Sequence, residues 1–170
     1  MRGRLPTPME HSMARAQTEQ AQEFLSQAVQ TLSAFLNDTT LASLEKEEPG
    51  RGDYYREILS NLRRLSVYCE EGLEACRIRL QQEPFQDAAA ERMLYQIYHR
   101  CIEEFFTPKK DTWYEDSRAA YTGKNAIRFR EPAPASLKNL MASLETGYQS
   151  MREELEYYGT DYRMKMVQSR

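Results

Sequence analysis

The chain has 170 residues, and its hydrophobic and charged fractions of 41% and 29% are those of an ordinary globular protein. This length predicts one domain, and seven glycines and seven prolines are too few for a disordered chain or an all-β sandwich. A net charge of −3 at pH 7 gives no general attraction for nucleic acid or an anionic membrane, so any such binding has to be local.

The lack of targeting signals and the number of cysteines predict the cellular compartment. The sequence lacks the run of roughly 20 apolar residues that a transmembrane helix needs, and its first residues lack the apolar core of a secretory signal. Three cysteines, Cys69, Cys76 and Cys101, are an odd number in a chain too long to need disulfide staples. These features predict a cytoplasmic protein with reduced thiols.

The start of the chain is predicted to be flexible and the rest to be one domain. Residues 1–13 carry two prolines and small polar residues without periodicity. Apolar residues then recur at spacings of three and four over residues 14–37, which predicts a first amphipathic helix. Thr40 is a predicted N-cap for a short helix through about Lys46. Residues 14–170 are therefore predicted to form a single helical domain.

Two more long helices follow. Asp53 is a predicted N-cap, and apolar side chains continue at helical spacing over residues 55–80. Pro84 ends this second long helix because the residue before a proline is pushed out of the α region. The third helix is predicted to begin at Pro84 or Asp87 and to end at Phe106.

A fourth helix completes the predicted fold. Ser136 is its candidate N-cap, Gly159 is its candidate end, and a short polar tail closes the chain. Each of the four long helices has an apolar stripe on one side, so the four must share one core. The sequence therefore predicts a mainly α fold, an antiparallel four-helix bundle, of which both hands fit the pattern.

The insertion between the third and fourth helices, about residues 107–135, is too long for a simple connector. A turn-like tetrad over residues 122–125 separates residues 117–121 from residues 126–130, where apolar and cationic residues alternate. This pattern predicts a small β-hairpin lying against the bundle. The side chains predicted to face the bundle are Ile127 and Phe129, and those predicted to face solvent are Arg128 and Arg130.

The insertion is also the candidate binding site. Between residues 107 and 130 the sequence holds six cationic residues against three carboxylates, interleaved with its only tryptophan and three other rings. Aromatic faces combined with cations suit an anionic ligand. The predicted binding residues are Trp113, Tyr114, Arg118, Tyr121, Lys124, Arg128 and Arg130. The alternative is that the rings fix the insertion to the bundle and the cations pair with carboxylates.

No metal site or cofactor is predicted. A di-iron site in a bundle needs Glu-x-x-His pairs, and the residue three before His99 is Gln96. Cys69 and Cys76 lie two helical turns apart, about 10 Å, which is too far for one zinc ion. The thiols are therefore predicted to be buried core residues. His99 is predicted to pair with Glu103, four residues on, at the rim of the helices.

These patterns favour a non-enzymatic protein that presents the insertion to a protein partner or an anionic ligand. The first alternative is an enzyme for a phosphorylated or other anionic small molecule, with Arg118, Lys124 and Arg128 positioning it and Tyr121 or Glu115 handling a proton. The second is a weak nucleic-acid binder, which the net charge disfavours. Tyrosines along the helix edges also suit a homodimer interface, although a wet core edge explains them equally well.

Several strings are similar to those of one protein family. The most specific are Trp-Tyr-Glu-Asp-Ser-Arg over residues 113–118 and Tyr-Thr-Gly-Lys-Asn over residues 121–125. With them, the chain resembles the YpuI-like family, short uncharacterised proteins of Bacillus and related bacteria, from about Gln17 to the C-terminus. The resemblance implies a bacterial cytoplasmic protein of unknown function, and it brings no catalytic residue and no cofactor.

Overall fold

A computed structural model of the chain describes residues 12–120 and 125–168. These residues are mainly helical, with one small two-stranded antiparallel sheet. In chain order the elements are α1 (Met13–Asp38), α2 (Leu41–Glu47), α3 (Gly52–Gln81), α4 (Asp87–Ile97), a π-helix (Tyr98–Ile102), α5 (Glu103–Phe106), β1 (Trp113–Glu115), α6 (Ser117–Ala120), β2 (Ile127–Phe129), α7 (Ala135–Glu154), α8 (Glu156–Gly159) and α9 (Asp161–Gln168).

Side-chain caps begin the first two helices. The side chain of Ser12 accepts a hydrogen bond from the Arg15 N–H at 3.0 Å. At α2, Thr40 Oγ1 accepts from the Ser43 N–H, and Ser43 Oγ accepts from the Thr40 N–H. This reciprocal pair satisfies two N–H groups that a helix start otherwise leaves without a partner. The predicted N-cap at Thr40 is confirmed.

Two other predicted caps are wrong. Helix α3 begins one residue before Asp53, and its N-cap is Arg51, whose carbonyl accepts from the Tyr55 N–H. Helix α7 begins directly after Pro134, which starts the helix earlier than the predicted cap at Ser136 because its backbone is fixed and its carbonyl accepts from the Leu137 and Lys138 N–H groups. The Ser136 hydroxyl is instead used in a long-range contact, a hydrogen bond of 2.6 Å to the Glu47 carboxylate.

The long helices bury their apolar stripes against one another. Helix α1 contacts α3, α4 and α7, α3 contacts α4, and α7 contacts the π-helix. The largest aliphatic side chains of this core are fully buried, which is worth about 1.5–3 kcal/mol for each. They include Leu25, Leu32, Ile58, Leu62, Leu65, Leu94 and Ile102. None of the helices in the described residues combines the length and low polarity that crossing a membrane requires.

A π-helix lies where continuous α-helix was predicted. In Tyr98–Ile102 the turn is wider than in an α-helix, and the Glu103 N–H reaches back five residues to the Tyr98 carbonyl. The segment has no proline or glycine to mark it. The wider turn arises from packing, because it keeps both Cys101 and Phe105 inside the core.

The predicted short polar tail is mostly exposed, but its residues 161–168 form helix α9, which follows the short helix α8. The predicted helix end at Gly159 is the end of α8, and a Cβ atom there would lie only 2.7 Å from the Tyr98 side chain. Tyr162 holds α9 in place by burying its ring 5.5 Å from that of Tyr158. Most other side chains of α9 are exposed.

Candidate functional site

The insertion contains an antiparallel strand pair, but its first strand is not the predicted one. Strand β2 is confirmed within residues 126–130, whereas residues 117–120 form the helical turn α6 and not a strand. Its partner is β1, which is too short to show an alternating pattern in the sequence. The facing pairs are Trp113 with Phe129, Tyr114 with Arg128, and Glu115 with Ile127. As predicted, Ile127 is buried and Arg128 and Arg130 are exposed, while Phe129 is half-buried.

Trp113 fixes the insertion to the helices. Its side chain is 1% exposed, and its indole N–H donates to the Phe105 carbonyl oxygen at 2.7 Å. The edge of its ring meets Phe129 with the ring centroids 6.3 Å apart. A ring covered in this way supports the strand pair and offers little face to a ligand.

Glu145, on α7, holds the start of β2. Its carboxylate is 3% exposed and accepts hydrogen bonds from the Ala126 and Ile127 N–H groups at 2.9 and 3.2 Å. Gln149 Nε2 donates to it as a third partner. No motif marks Glu145, but it lies on the apolar stripe of α7, and a carboxylate at such a position signals a buried polar contact.

Asn61, on α3, holds the beginning of the insertion. Its side-chain amide is fully buried and donates to the Thr112 hydroxyl and the Lys110 carbonyl, both at 2.8 Å. The Tyr54 hydroxyl donates to the Thr112 carbonyl at 2.6 Å. Asn61 also interrupts an apolar stripe, so its polarity is the sequence signal for this contact.

The two arginines of β2 and its end each lie beside an aspartate. Arg130 Nε is 3.0 Å from an Asp111 carboxylate oxygen, and its guanidinium lies 4.1 Å from the centroid of the Tyr114 ring. Arg128 Nε is 3.9 Å from an Asp116 oxygen, and its guanidinium also donates to the Asn125 carbonyl. Exposed pairs of this kind are worth about 0–1 kcal/mol, so a ligand can compete with them.

The other predicted cations are placed differently. Arg118 is exposed on α6, and its side chain makes no ion pair within residues 12–120 and 125–168. Its backbone N–H donates to the Asp116 carboxylate at 3.0 Å. Tyr121 and Lys124 lie outside the described residues. The structure thus brings Tyr114, Arg128 and Arg130 together, since Tyr114 faces Arg128 across the strands and packs on Arg130.

Glu115, a predicted proton carrier of the enzyme alternative, is bound by Arg152. The two side chains form two hydrogen bonds, of 2.8 and 2.6 Å, between β1 and α7. The Arg152 guanidinium also lies 3.7 Å from the centroid of the Phe106 ring. The hydrogen bonds to Glu115 are the main reason that the pKa of Arg152 is raised. This pair ties the sheet to the helices and occupies both carboxylate oxygens of Glu115.

His99 is engaged at both ring nitrogens. Nδ1 lies 3.0 Å from a Glu103 carboxylate oxygen, which confirms the predicted pair, and Nε2 lies 3.1 Å from the Tyr158 carbonyl. These contacts join the π-helix to α5 and α8. They account for the histidine without a metal or a substrate.

The cysteines form a buried thiol cluster. Cys69 Sγ lies 3.1 Å from Cys101 Sγ and 3.0 Å from the Tyr148 hydroxyl. Burial raises the pKa of Cys76 to about 12, and hydrogen bonding to Cys69 together with burial raises the pKa of Cys101. Thiols that stay protonated are poor nucleophiles and poor metal ligands. The predicted buried core thiols are confirmed.

Burial of Cys76 makes the stability depend on pH. Its pKa is 9.0 ordinarily and about 12 in the folded chain, so between these values only the unfolded chain releases the thiol proton. We expect the free energy of unfolding to fall with rising pH in this range, by up to about 1.4 kcal/mol per pH unit from this group. Below pH 9 the thiol is neutral in both states and its stabilising effect is fully present.

Urea unfolding of the native chain and of Cys76→Ala, across pH values from about 8 to about 11, measures this effect. Other buried groups titrate in both chains, so the informative quantity is the difference between the two slopes. The Cys76→Ala slope should be shallower. Equal slopes of the unfolding free energy against pH in the two chains would contradict a raised pKa of Cys76.

A groove of about 530 Å³ lies between β2 and α7, and we call it the β2–α7 groove. One wall is the chain from β2 to Ala133, and the other is the face of α7 that carries Lys138, Met141 and Glu145. Cations lie at its rim and apolar side chains on its floor. Because it lies beside β2 and is lined by both cationic and apolar residues, this groove is the candidate binding site of the insertion.

The free edge of β2 faces away from β1. The Asp116 N–H bonds the Ala126 carbonyl and the Arg130 N–H bonds the Thr112 carbonyl, so alternate residues of β2 point their backbone at β1. The backbone groups of Ile127 and Phe129 therefore point to the other edge. Glu145 takes the Ile127 N–H, whereas the Phe129 N–H has no hydrogen bond within the described parts of the chain.

Comparison with known proteins now gives the family. A family model described as protein of unknown function (DUF3907) matches residues 18–164. The chain belongs to this family. The uncharacterized protein YpuI of Bacillus subtilis (strain 168) is 54% identical over 156 residues, which cover 92% of this chain and 87% of YpuI. The resemblance drawn from the sequence strings is confirmed, and the family match covers most of α1, the elements from α2 to α8 with the whole insertion, and the first half of α9. No solved structure matches the chain.

Proposed function

We propose that this family member is a binding protein without enzymatic activity, and that its β2–α7 groove holds an acidic, extended segment of a partner protein. The observation that carries the proposal is the free edge of β2, which borders this groove beside Arg128 and Lys138. An exposed strand edge is a template on which a partner strand forms main-chain hydrogen bonds.

Backbone pairing sets where the segment lies. The Glu145 carboxylate already takes the N–H groups at the start of β2, where a third strand would supply carbonyl oxygens. An incoming segment therefore pairs at Phe129, the last residue of β2. Beyond it the Glu131 N–H already donates to the Tyr54 hydroxyl, and Pro132 has no N–H. Main-chain pairing is therefore short, and side-chain contacts must supply most of the affinity.

The charge at the groove favours an acidic segment. Lys138 is exposed and forms no ion pair with any described residue. Arg128 is held by the loose contact with Asp116 and by its hydrogen bond to the Asn125 carbonyl, and its side chain stays exposed. The one buried carboxylate in the groove, Glu145, already accepts three hydrogen bonds and has little capacity left for a ligand. Acidic side chains on the segment would gain two cationic partners.

The enzyme alternative has less support. Of its two proposed proton carriers, Glu115 is bound by Arg152, and Tyr121 lies outside the described residues.

The other alternative is a weak nucleic-acid binder. Its mark is an affinity that falls steeply with salt, which a labelled single-stranded oligonucleotide titrated at low and moderate salt would show.

Two finer features belong to the same proposal. We infer that α1, α3, α4 and α7 form an antiparallel four-helix bundle, which the contacts of α1 with the other three support. We also infer that the protein works in the cytoplasm, because three free thiols fit a reducing compartment.

A peptide titration tests the proposed function. Fluorescein-labelled extended peptides, one acidic and one with lysines replacing the acidic residues, are titrated with the native chain and followed by fluorescence anisotropy. We expect the acidic peptide to bind, and Arg128→Ala with Lys138→Ala to weaken binding about 10-fold, since two rim cations are lost. Pairing at the edge predicts that the bound peptide slows hydrogen exchange of the Phe129 amide.

The matched control removes two exposed cations of α3 that do not line the groove, by Arg63→Ala with Arg77→Ala, and should bind as tightly as the native chain. Equal losses of affinity in both double variants would show that the net charge of the chain, and not the groove, causes the effect. Unchanged exchange at Phe129 would remove the strand-pairing mode.

A further inference from the structure

A second groove, of about 610 Å³, lies between α3, α4 and α9, outside the insertion. We call it the α3–α9 groove. Its floor is apolar and is formed largely by Ile78, Met93, Tyr95 and Tyr162. Its solvent-exposed apolar part is Ile78, which is 48% exposed, and Met166, which also lines the groove and is 42% exposed, whereas Met93 and Tyr162 are buried. Exposed apolar surface gathered in one concave place marks a binding site more often than a scattered side chain does.

The charged residues that line this groove all have the same sign. Three arginines line it, Arg79, Arg92 and Arg163, and among its described lining residues none is a carboxylate. Arg79 donates to the Gln82 side chain at 3.2 Å. Arg92 and Arg163 form no ion pair in the parts of the chain that the structure describes. In a chain of net charge −3, this local excess is complementary to an anionic partner.

The shape of the groove fits a helix. Helix α4 supplies five lining residues, of which four lie at i, i+3, i+4 and i+7 from Ala89 to Gln96, about 10 Å along the axis. Helices α3 and α9 form the two sides of this trough. A helix laid in it buries one apolar stripe and leaves its other side in water. A fatty acid, in contrast, needs most of its surface covered, which an open trough does not provide.

We propose that the α3–α9 groove binds an acidic amphipathic helix of a partner protein. Its apolar stripe packs on Ile78, Met93 and Tyr95, and its carboxylates lie opposite Arg92 and Arg163. A second copy of this chain fits less well, because an isologous dimer would bring the two sets of arginines together. This surface is separate from the β2–α7 groove, so the inference goes beyond the proposed function and does not depend on it.

Designed helical peptides test the inference on the full chain. One labelled peptide of about four turns carries leucines along one stripe and glutamates beside it, and its matched partner carries lysines in place of the glutamates. Anisotropy titrations should give binding of the acidic peptide and at least about 10-fold weaker binding of the lysine peptide. Arg92→Glu with Arg163→Glu should weaken the acidic peptide at least about 10-fold, and Ile78→Asp should weaken it as well.

The control makes the same charge change elsewhere, by Arg56→Glu with Arg63→Glu, and should keep the native affinity. All substituted residues are exposed, and circular dichroism confirms that each variant is folded. Equal affinity for both peptides, equal loss in the control, or no binding of the acidic peptide would overturn the proposal.

Two further experiments test whether the α3–α9 groove instead binds a fatty acid or a second copy of the chain. A dansylated fatty acid that binds in an Arg92-dependent way, while the acidic peptide does not, would make this a lipid site. Sedimentation showing a dimer that Ile78→Asp dissociates, again without peptide binding, would make it a self-association surface. Arg128→Ala with Lys138→Ala should leave the affinity for the helical peptide unchanged. A loss of affinity in this double variant would show that the peptide binds in the β2–α7 groove. Each of these results overturns the proposal.

Discussion

Replacing Glu145 with alanine is expected to lower the free energy of unfolding by about 3–5 kcal/mol and to release the start of β2 from α7. Two backbone N–H groups, those of Ala126 and Ile127, lose a charged acceptor in a buried place. Each buried donor left unsatisfied costs about 1–3 kcal/mol, and the lost bonds to a charged group add to this. Solvent cannot replace the carboxylate fully, because its residue is 3% exposed.

Urea unfolding measures the loss, and hydrogen exchange at the Ile127 amide shows where it occurs. Glu145→Gln keeps one acceptor oxygen and should lie between the native chain and Glu145→Ala. The control is Glu153→Ala on the same helix, an exposed position where a change within about 0.5 kcal/mol is expected. A Glu145→Ala chain as stable as this control would show that the carboxylate does not anchor the strand.

Trp113→Ala is expected to destabilise the chain by about 3–5 kcal/mol, the usual cost of removing a large buried ring. The indole fills the space between the sheet and α5 and donates to the Phe105 carbonyl. Its removal leaves a cavity and a carbonyl without its donor. The effect decides between the two roles considered for this ring, because an open stacking face for a ligand would contribute little to folding.

Thermal and urea unfolding of three variants separate these contributions. Trp113→Phe keeps part of the ring volume but loses the N–H, so its stability should lie between those of the native chain and Trp113→Ala. Tyr114→Ala is the neighbouring control, since that side chain is 37% exposed, and a cost below about 1 kcal/mol is expected there. Similar stabilities for Trp113→Ala and Tyr114→Ala would contradict the supporting role of Trp113.

The long helices could be predicted because their apolar residues repeat over many turns, and a repeat of that length is hard to produce by other means. Helix α1 and strand β2 illustrate this, since each shows its period directly. Strand β1 has only three residues, so no period develops. Helix α9 is held mainly by Tyr162, and a single buried ring leaves no stripe to find.

The candidate site was predictable in its composition and not in its contacts. Arg128 and Arg130 are exposed where the alternation puts them. Their aspartate neighbours, and the burial of Trp113, depend on how the insertion folds back on the helices. Glu145 and Asn61 give the clearest lesson, since a polar residue on an apolar stripe signals a buried hydrogen bond but does not name its partner.

The π-helix explains an irregularity in the spacing of the core. Met93, Ile97, Cys101 and Phe105 are all buried and follow one another at intervals of four. In a regular α-helix each such step would turn the column by about 40°, so Phe105 would lie roughly 120° away from Met93. One extra residue in the widened turn removes about 100° of that drift and straightens the column. The chain therefore has one residue more here than a regular α-helix needs to connect the same buried positions. Omitting the exposed Arg100 would give an ordinary helix that still leaves Met93 and Phe105 on the same side.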